Sequence, residues 1–220
     1  MEEMLNISGA TVCVGGHTLF RTLDLRVRRG EWVCLAGPSG CGKTSLLRAV
    51  MGFAPLSQGS VTVAGHTLAP HTLPQIRRQM AYMPQDLVLP ALGVRELLQL
   101  PFSLKSLGRR SFPHDHILRL WQQLDLSEEL LDLQVSQLSG GQRRRVLLSV
   151  AVATQRPLVL ADEPASALDE EGARRVAAVL RDVARQGRAV LSVTHSSVLL
   201  QQADRTITIP EPPSLYTRMP

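Results

Sequence analysis

The chain has 220 residues, 44% of them hydrophobic, and a net charge of +5. That length supports one substantial core, while the apolar runs fall short of the ~20 residues a membrane helix needs. Three unevenly spaced cysteines without a CxxC pair argue against a disulfide framework or a zinc site. The positive charge is spread as arginine pairs plus the triplet Arg143-Arg144-Arg145, and aromatics make up only 4% of residues. Such pairs read as solvated faces, not as the concentrated stripe of a nucleic-acid protein. No charged-then-apolar leader opens the chain, so a cytoplasmic protein is expected, and any work at a membrane needs another chain for the span.

Residues 4–27 read as two short strands around Gly15-Gly16, with Leu23, Leu25 and Val27 alternating against polar neighbours. Glu31–Ala36 is a buried strand, Ser45–Met51 a helix, and the glycine-bounded segment Gly59–Gly65 another short strand. Residues 79–85 approach Gln85 as a strand. From about 90 to 154 the period is helical: Val94, Leu97 and Leu98, then Ile117, Leu118, Trp121 and Leu124, fall at three- and four-residue spacing. Leu158–Asp162 is the near-continuous apolar run of a parallel strand covered on both faces. Residues 170–186 carry the helical stripe Ala173, Val176, Ala177, Leu180, Val183 and Ala184, with Gly187 as its C-terminal stop. Ala189–His195 is a second parallel-type strand, Thr206–Ile209 closes the sheet, and a proline-rich tail spans 210–220. The expected architecture is α/β: one domain over 1–209, with a helical subdomain (about 86–154) inserted in the core.

The chemistry concentrates at Gly37-Pro38-Ser39-Gly40-Cys41-Gly42-Lys43-Thr44. This is the strand–loop–helix pattern G-x-x-x-x-G-K-[ST], whose backbone N–H groups cradle nucleotide phosphates. The glycines let the backbone approach the anion, Lys43 supplies positive charge for the β- and γ-phosphates, and the Thr44 hydroxyl is placed for Mg²⁺. Cys41 reads as an inert filler of its slot. The strand ending in Asp162-Glu163 completes the site. The first carboxylate would hold the magnesium shell opposite Thr44 and the second would polarise water.

Leu138-Ser139-Gly140-Gly141-Gln142 is the sharpest remaining signal. Ser139 as a helix cap accounts for the serine but leaves both glycines unexplained. A bare helix terminus also offers backbone donors to a phosphate, and one site has no use for two such cradles unless they come from different chains.

On these residues the sequence resembles the ATP-binding subunit of an ABC transporter over about residues 4–209. The resemblance implies a P-loop NTPase of ABC type: a parallel core sheet, an antiparallel β subdomain and a helical insert. It implies ATP and Mg²⁺ as cofactors. Gly37–Thr44 with Ser45 would bind the nucleotide, and Gln85 in Met83-Pro84-Gln85 would sense water and metal and face the membrane partner. Thr44, Gln85 and Asp162 would surround the metal, Glu163 would be the general base, and Lys43 and His195 would contact the γ-phosphate. Ser139, Gly140, Gly141 and Gln142 would complete the site of a second copy, with Ser166–Asp169 at the dimer seam. A transmembrane permease docking near Gln85–Arg95 would place the chain peripherally on the cytoplasmic face of the inner or plasma membrane. There it would power transport through that separate subunit. A non-transport ATPase of cofactor-assembly or cell-division type is the alternative, and no nucleic-acid partner is expected.

Two departures from the family pattern carry expectations. Val14 stands where relatives place an adenine-stacking ring, so GTP should be hydrolysed nearly as well as ATP; a strong ATP preference would point to Phe20 or a partner residue. Ser149-Val150-Ala151 replaces a usual Ala-Arg-Ala run, removing an arginine contact.

Overall fold

Strands too apolar to face water on either side set the frame. The computed structural model describes residues 2–14, 17–85, 92–104 and 112–210. In chain order the elements are β1 (Glu3–Val14), β2 (His17–Arg28), β3 (Trp32–Ala36), α1 (Lys43–Val50), β4 (Gln58–Val63), β5 (His66–Thr67), α2 (Leu73–Arg78) and β6 (Met80–Met83). The helical stretch follows as α3 (Val94–Ser103), α4 (His114–Gln123), two 3₁₀ turns (Glu128–Asp132 and Val135–Gln137) and α5 (Gly140–Ala153). Then come β7 (Leu158–Asp162), α6 (Glu170–Arg185), β8 (Ala189–Val193), α7 (Ser197–Gln202) and β9 (Arg205–Thr208).

Five strands form a parallel sheet in the order β6–β7–β8–β3–β9. Alternation along each strand splits the core in two. Trp32, Cys34, Val159, Ala161 and Val190 point to the helical side and pack with α3 to α6. Val33, Leu35, Leu158, Leu160 and Leu191 point to the other side and pack with α1 and the antiparallel sheet. That second sheet has the order β2–β1–β4–β5. The expected α6 stripe is buried along its whole length, Asp169 caps the helix through Gly172 N–H at 2.8 Å, and Gly187 ends it at φ +82°.

The first two strands are 12 residues each, not short. Register shifts, one of them between Ile7 and Ala10, carry β1 through Gly9 at φ +58°. A bulge of this kind interrupts the alternation that marks a strand in sequence without ending the ladder. The helices α2 and α7, six residues each, are too short to show a period and were not expected. The position that departs from the Ala-Arg-Ala run is explained by packing. Ser149 is fully buried, accepts the Trp121 indole N–H at 3.0 Å and donates to the Val146 carbonyl at 2.7 Å. Val150 packs partly buried against the same core. The expected Gly15-Gly16 turn, the side chain of Val14, residues 86–91 of the expected docking segment and residues 211–220 of the tail lie outside the described residues.

Candidate functional site

The loop between β3 and α1 takes its shape from three left-handed glycines, Gly37, Gly40 and Gly42. Gly42 shows why a side chain is excluded: at φ +101° an added Cβ would lie 3.0 Å from Leu19 Cβ and from Phe20 Cε1. Strand β2 therefore presses directly against the loop. Phe20 is buried there, whereas Leu19 lines the cleft. Helix α1 begins at Gly42 without a side-chain cap and without an acidic residue in its first turn. Its N-terminal N–H groups are thus left for an anion. Lys43, 7% exposed, donates from Nζ to the Gly37 carbonyl at 2.8 Å and the Pro38 carbonyl at 2.9 Å. The ammonium charge is held at the loop's own rim.

Asp162 ends β7 fully buried. The Thr44 hydroxyl donates to its Oδ1 at 3.1 Å and the Tyr82 hydroxyl reaches Oδ2 at 3.4 Å. Burial raises its pKa, with the Thr44 and Tyr82 hydroxyls opposing. Burial also pushes the Tyr82 phenol up to about 12, so it remains a donor. Glu163 follows at φ +50°, a left-handed backbone in a non-glycine residue. Its Oε1 lies 3.5 Å from His195 Nε2, and its Oε2 accepts the His195 backbone N–H at 3.4 Å. Burial raises the Glu163 pKa, and the His195 charge is the largest effect working against it. A desolvated carboxylate of raised pKa is a stronger base than one in water.

These groups converge on a cleft of about 720 Å³. Ser39, Gly40, Gly42, Lys43, Thr44 and Ser45 line it, together with Gln85, Glu163 and His195. Gly37, Pro38 and Cys41 do not: the first two serve Lys43 through their carbonyls, and Cys41 is fully buried. Asp162 stands behind Thr44. Ser166, Leu168 and Asp169 line the far wall, and Leu19, Glu170, Ser196 and Ser197 join them without having been expected. Leu19 carries no local signal, since only the fold lays β2 beside the loop.

Ser139, Gly140, Gly141 and Gln142 lie outside this cleft, at the start of α5. The serine is a cap: Ser139 Oγ accepts the Gln142 N–H at 3.2 Å, and Gln142 Oε1 accepts the Ser139 N–H at 2.9 Å. One glycine has an internal reason, because a Cβ on Gly141 would meet Leu168 Cδ2 at 2.9 Å. Gly140 has none, with nothing within 4 Å of an added Cβ. The neighbouring arginines are not a solvated face. Arg144 Nη1 donates to the Gln85 carbonyl at 2.7 Å, and Arg145 Nη1 donates to the carbonyls of Leu124 and Asp125 at 2.7 and 2.9 Å.

The oxygen donors of Thr44, Asp162 and Gln85 suit magnesium: a hydroxyl, a carboxylate and an amide carbonyl are hard ligands. Among the described residues no group of three or more His, Cys, Asp or Glu forms a cage.

Residues 20–166 match the family described as ABC transporter. The chain is 34% identical over 212 residues to the phosphonates import ATP-binding protein PhnC of Hyphomonas neptunium, covering 91% of this chain and 80% of that one. It is 33% identical over 203 residues to the ATP-dependent lipid A-core flippase of Ralstonia nicotianae, covering 88% of this chain but only 34% of the flippase. A dimeric structure of a bacterial ABC transporter cassette superposes with a TM-score of 0.83 at 27% identity, over 94% of both chains. A post-hydrolysis state of the same cassette, bound to ADP and Pi, gives a TM-score of 0.83 at 26% identity, over 94% of this chain and 96% of that one.

Proposed function

The chain belongs to the ABC transporter family, and on that premise we propose that it is the ATP-hydrolysing subunit that powers a transporter through a separate transmembrane partner. The observation that carries this reading is the convergence of Lys43, Thr44, Gln85, Glu163 and His195 on one cleft, with Asp162 bonded behind Thr44. No described helix is long and apolar enough to cross a membrane. The proposal accordingly places the span in a permease and the chain peripherally on the cytoplasmic face. The import and flippase names of its relatives support transport over the assembly or cell-division alternative.

Phosphoryl transfer to water needs positioning and charge stabilisation more than covalent chemistry. In this reading the loop amides and Lys43 hold the phosphates, and Thr44, Asp162 and Gln85 would hold magnesium. The metal, when bound, would supply positive charge to offset that of the phosphates. Glu163 takes the proton of the attacking water. His195, within 3.5 Å of the Glu163 carboxylate, steadies both the base and the γ-phosphate. Two copies close head to tail, so that the bare Gly140 face of one meets the nucleotide held by the other.

Glu163→Gln tests this directly. The variant should bind ATP and dimerise while hydrolysis falls by roughly 10²–10⁴-fold, the contribution of a positioned base. Normal turnover would overturn the assignment of the base; an ATP-loaded variant that stays monomeric beside its membrane partner would overturn the sandwich. Co-purification with an integral membrane protein tests the transport assignment.

A further inference from the structure

We infer that Arg144 is a positioning residue: carried on α5, its guanidinium ties the backbone of Gln85 to that of Glu163, so that displacement of one is felt by the other. The inference rests on the reading of Glu163 as the base.

Among the described residues the guanidinium reaches two backbone carbonyls. Arg144 Nη1 donates to the Gln85 carbonyl at 2.7 Å, a short charge-assisted bond, and lies 3.5 Å from the Glu163 carbonyl, a longer contact of cation with dipole. The second carbonyl belongs to a strained residue. A left-handed non-glycine backbone persists only where its surroundings over-determine it. At Glu163 the N–H donates to the Val193 carbonyl at 2.9 Å, and the carbonyl accepts the Ser166 N–H at 3.2 Å. Both of those ties come from the strand layer and its own loop. Arg144 adds one from α5, the helix that begins at Ser139-Gly140.

Gln85 and Glu163 line the same cleft, yet they are 78 residues apart in the chain. Both contacts fall to one nitrogen, Nη1, whose two N–H groups can reach two carbonyls, and the planar guanidinium holds its aim more rigidly than a lysine ammonium. Tilting α5 therefore pulls on the backbone that aims the Glu163 carboxylate. A base misplaced by about 1 Å loses much of its rate. Arg144 consequently acts on turnover more than on nucleotide affinity.

The test compares Arg144→Ala, Arg144→Gln and Arg144→Lys in the full chain. It reads kcat and KM for ATP separately, binding of a fluorescent ATP analogue, thermal melting, and amide exchange over residues 79–85. Arg144→Ala should lower kcat about tenfold or more, the loss of one charge-assisted bond. KM and analogue affinity should stay within about twofold. Lysine should recover part of the rate, and exchange near Gln85 should quicken. A wild-type kcat in Arg144→Ala overturns the inference. So does a loss that follows melting temperature and KM together without rescue by lysine, because that is a packing effect. Glu163→Gln is measured alongside. If it turns over normally the base reading itself fails; if it is inactive while Arg144→Ala is normal, only the role of Arg144 fails.

Discussion

Gly140 and Gly141 are adjacent, begin the same helix and have ordinary negative φ, yet alanine should stabilise them unequally. At Gly140 an added Cβ meets nothing within 4 Å. Replacing a helical glycine by alanine stabilises by roughly 0.5–1 kcal/mol through the unfolded chain. A domain of this size gains about 2–4 °C for each kcal/mol, so Gly140→Ala should melt roughly 1–4 °C higher. At Gly141 the new methyl sits 2.9 Å from Leu168 Cδ2, the end of a partly buried, flexible side chain that must move aside, so the same gain is reduced. Function should run the other way at Gly140. If that face meets the nucleotide of a second copy, an intruding methyl overpacks the contact by about 1–3 kcal/mol, or about five- to 150-fold in ATP-driven association and turnover. Melting is read without nucleotide; association is read by light scattering with ATP in the Glu163→Gln background, and turnover in the parent chain. A Gly140→Ala protein that is more stable and fully active would refute the head-to-tail closure at this position.

Three further outcomes follow from the site and its supports. Because burial raises the Glu163 pKa against the pull of His195, the acid limb of kcat should lie above the ordinary carboxylate value of 4.5, and His195→Ala should move it higher still; a residual rate whose limb moves lower contradicts the pairing. Asp162 also has a raised pKa, so the native state binds that proton more tightly than the unfolded chain does. Its contribution to stability is then present below the ordinary carboxylate range and lost as pH rises through the folded value. Asp162→Asn should therefore raise the denaturant midpoint near neutral pH, with the gain vanishing in acid, while hydrolysis is lost; a lower midpoint at neutral pH would show the charge to be stabilising. Ser149→Ala leaves the buried Trp121 N–H without its acceptor, which should cost about 1–3 kcal/mol and appear as a fall in melting temperature of about 2–4 °C per kcal/mol.

Much of the site was legible from short stretches of chain. The phosphate loop, its entering strand and leaving helix, the apolar run into Asp162-Glu163 and the stripe of α6 all fall within about two residues of the expected bounds. Each depends on local rules: glycine at left-handed positions, continuous hydrophobicity for a strand buried on both faces, and 3.6-residue spacing for a helix. The serine cap at Ser139 was equally local. The interrupted strands β1 and β2 were less legible, because a bulge at Gly9 breaks the alternation while the ladder continues.

Side-chain order along the chain thus determined which groups this protein has for handling a triphosphate, and on which kinds of element they sit. Only the tertiary structure decided their company. The sheet order β6–β7–β8–β3–β9 places non-consecutive strands side by side, and this brings Asp162 to Thr44 across 118 residues. The same packing lays Leu19 along the cleft, gives Gly141 a neighbour and Gly140 none, and turns Arg144 from an apparently solvated charge into a tie between two carbonyls. Backbone conformation is set by neighbours a few residues away. Contacts between side chains depend on which surfaces the core brings face to face, and no periodicity in the chain encodes that.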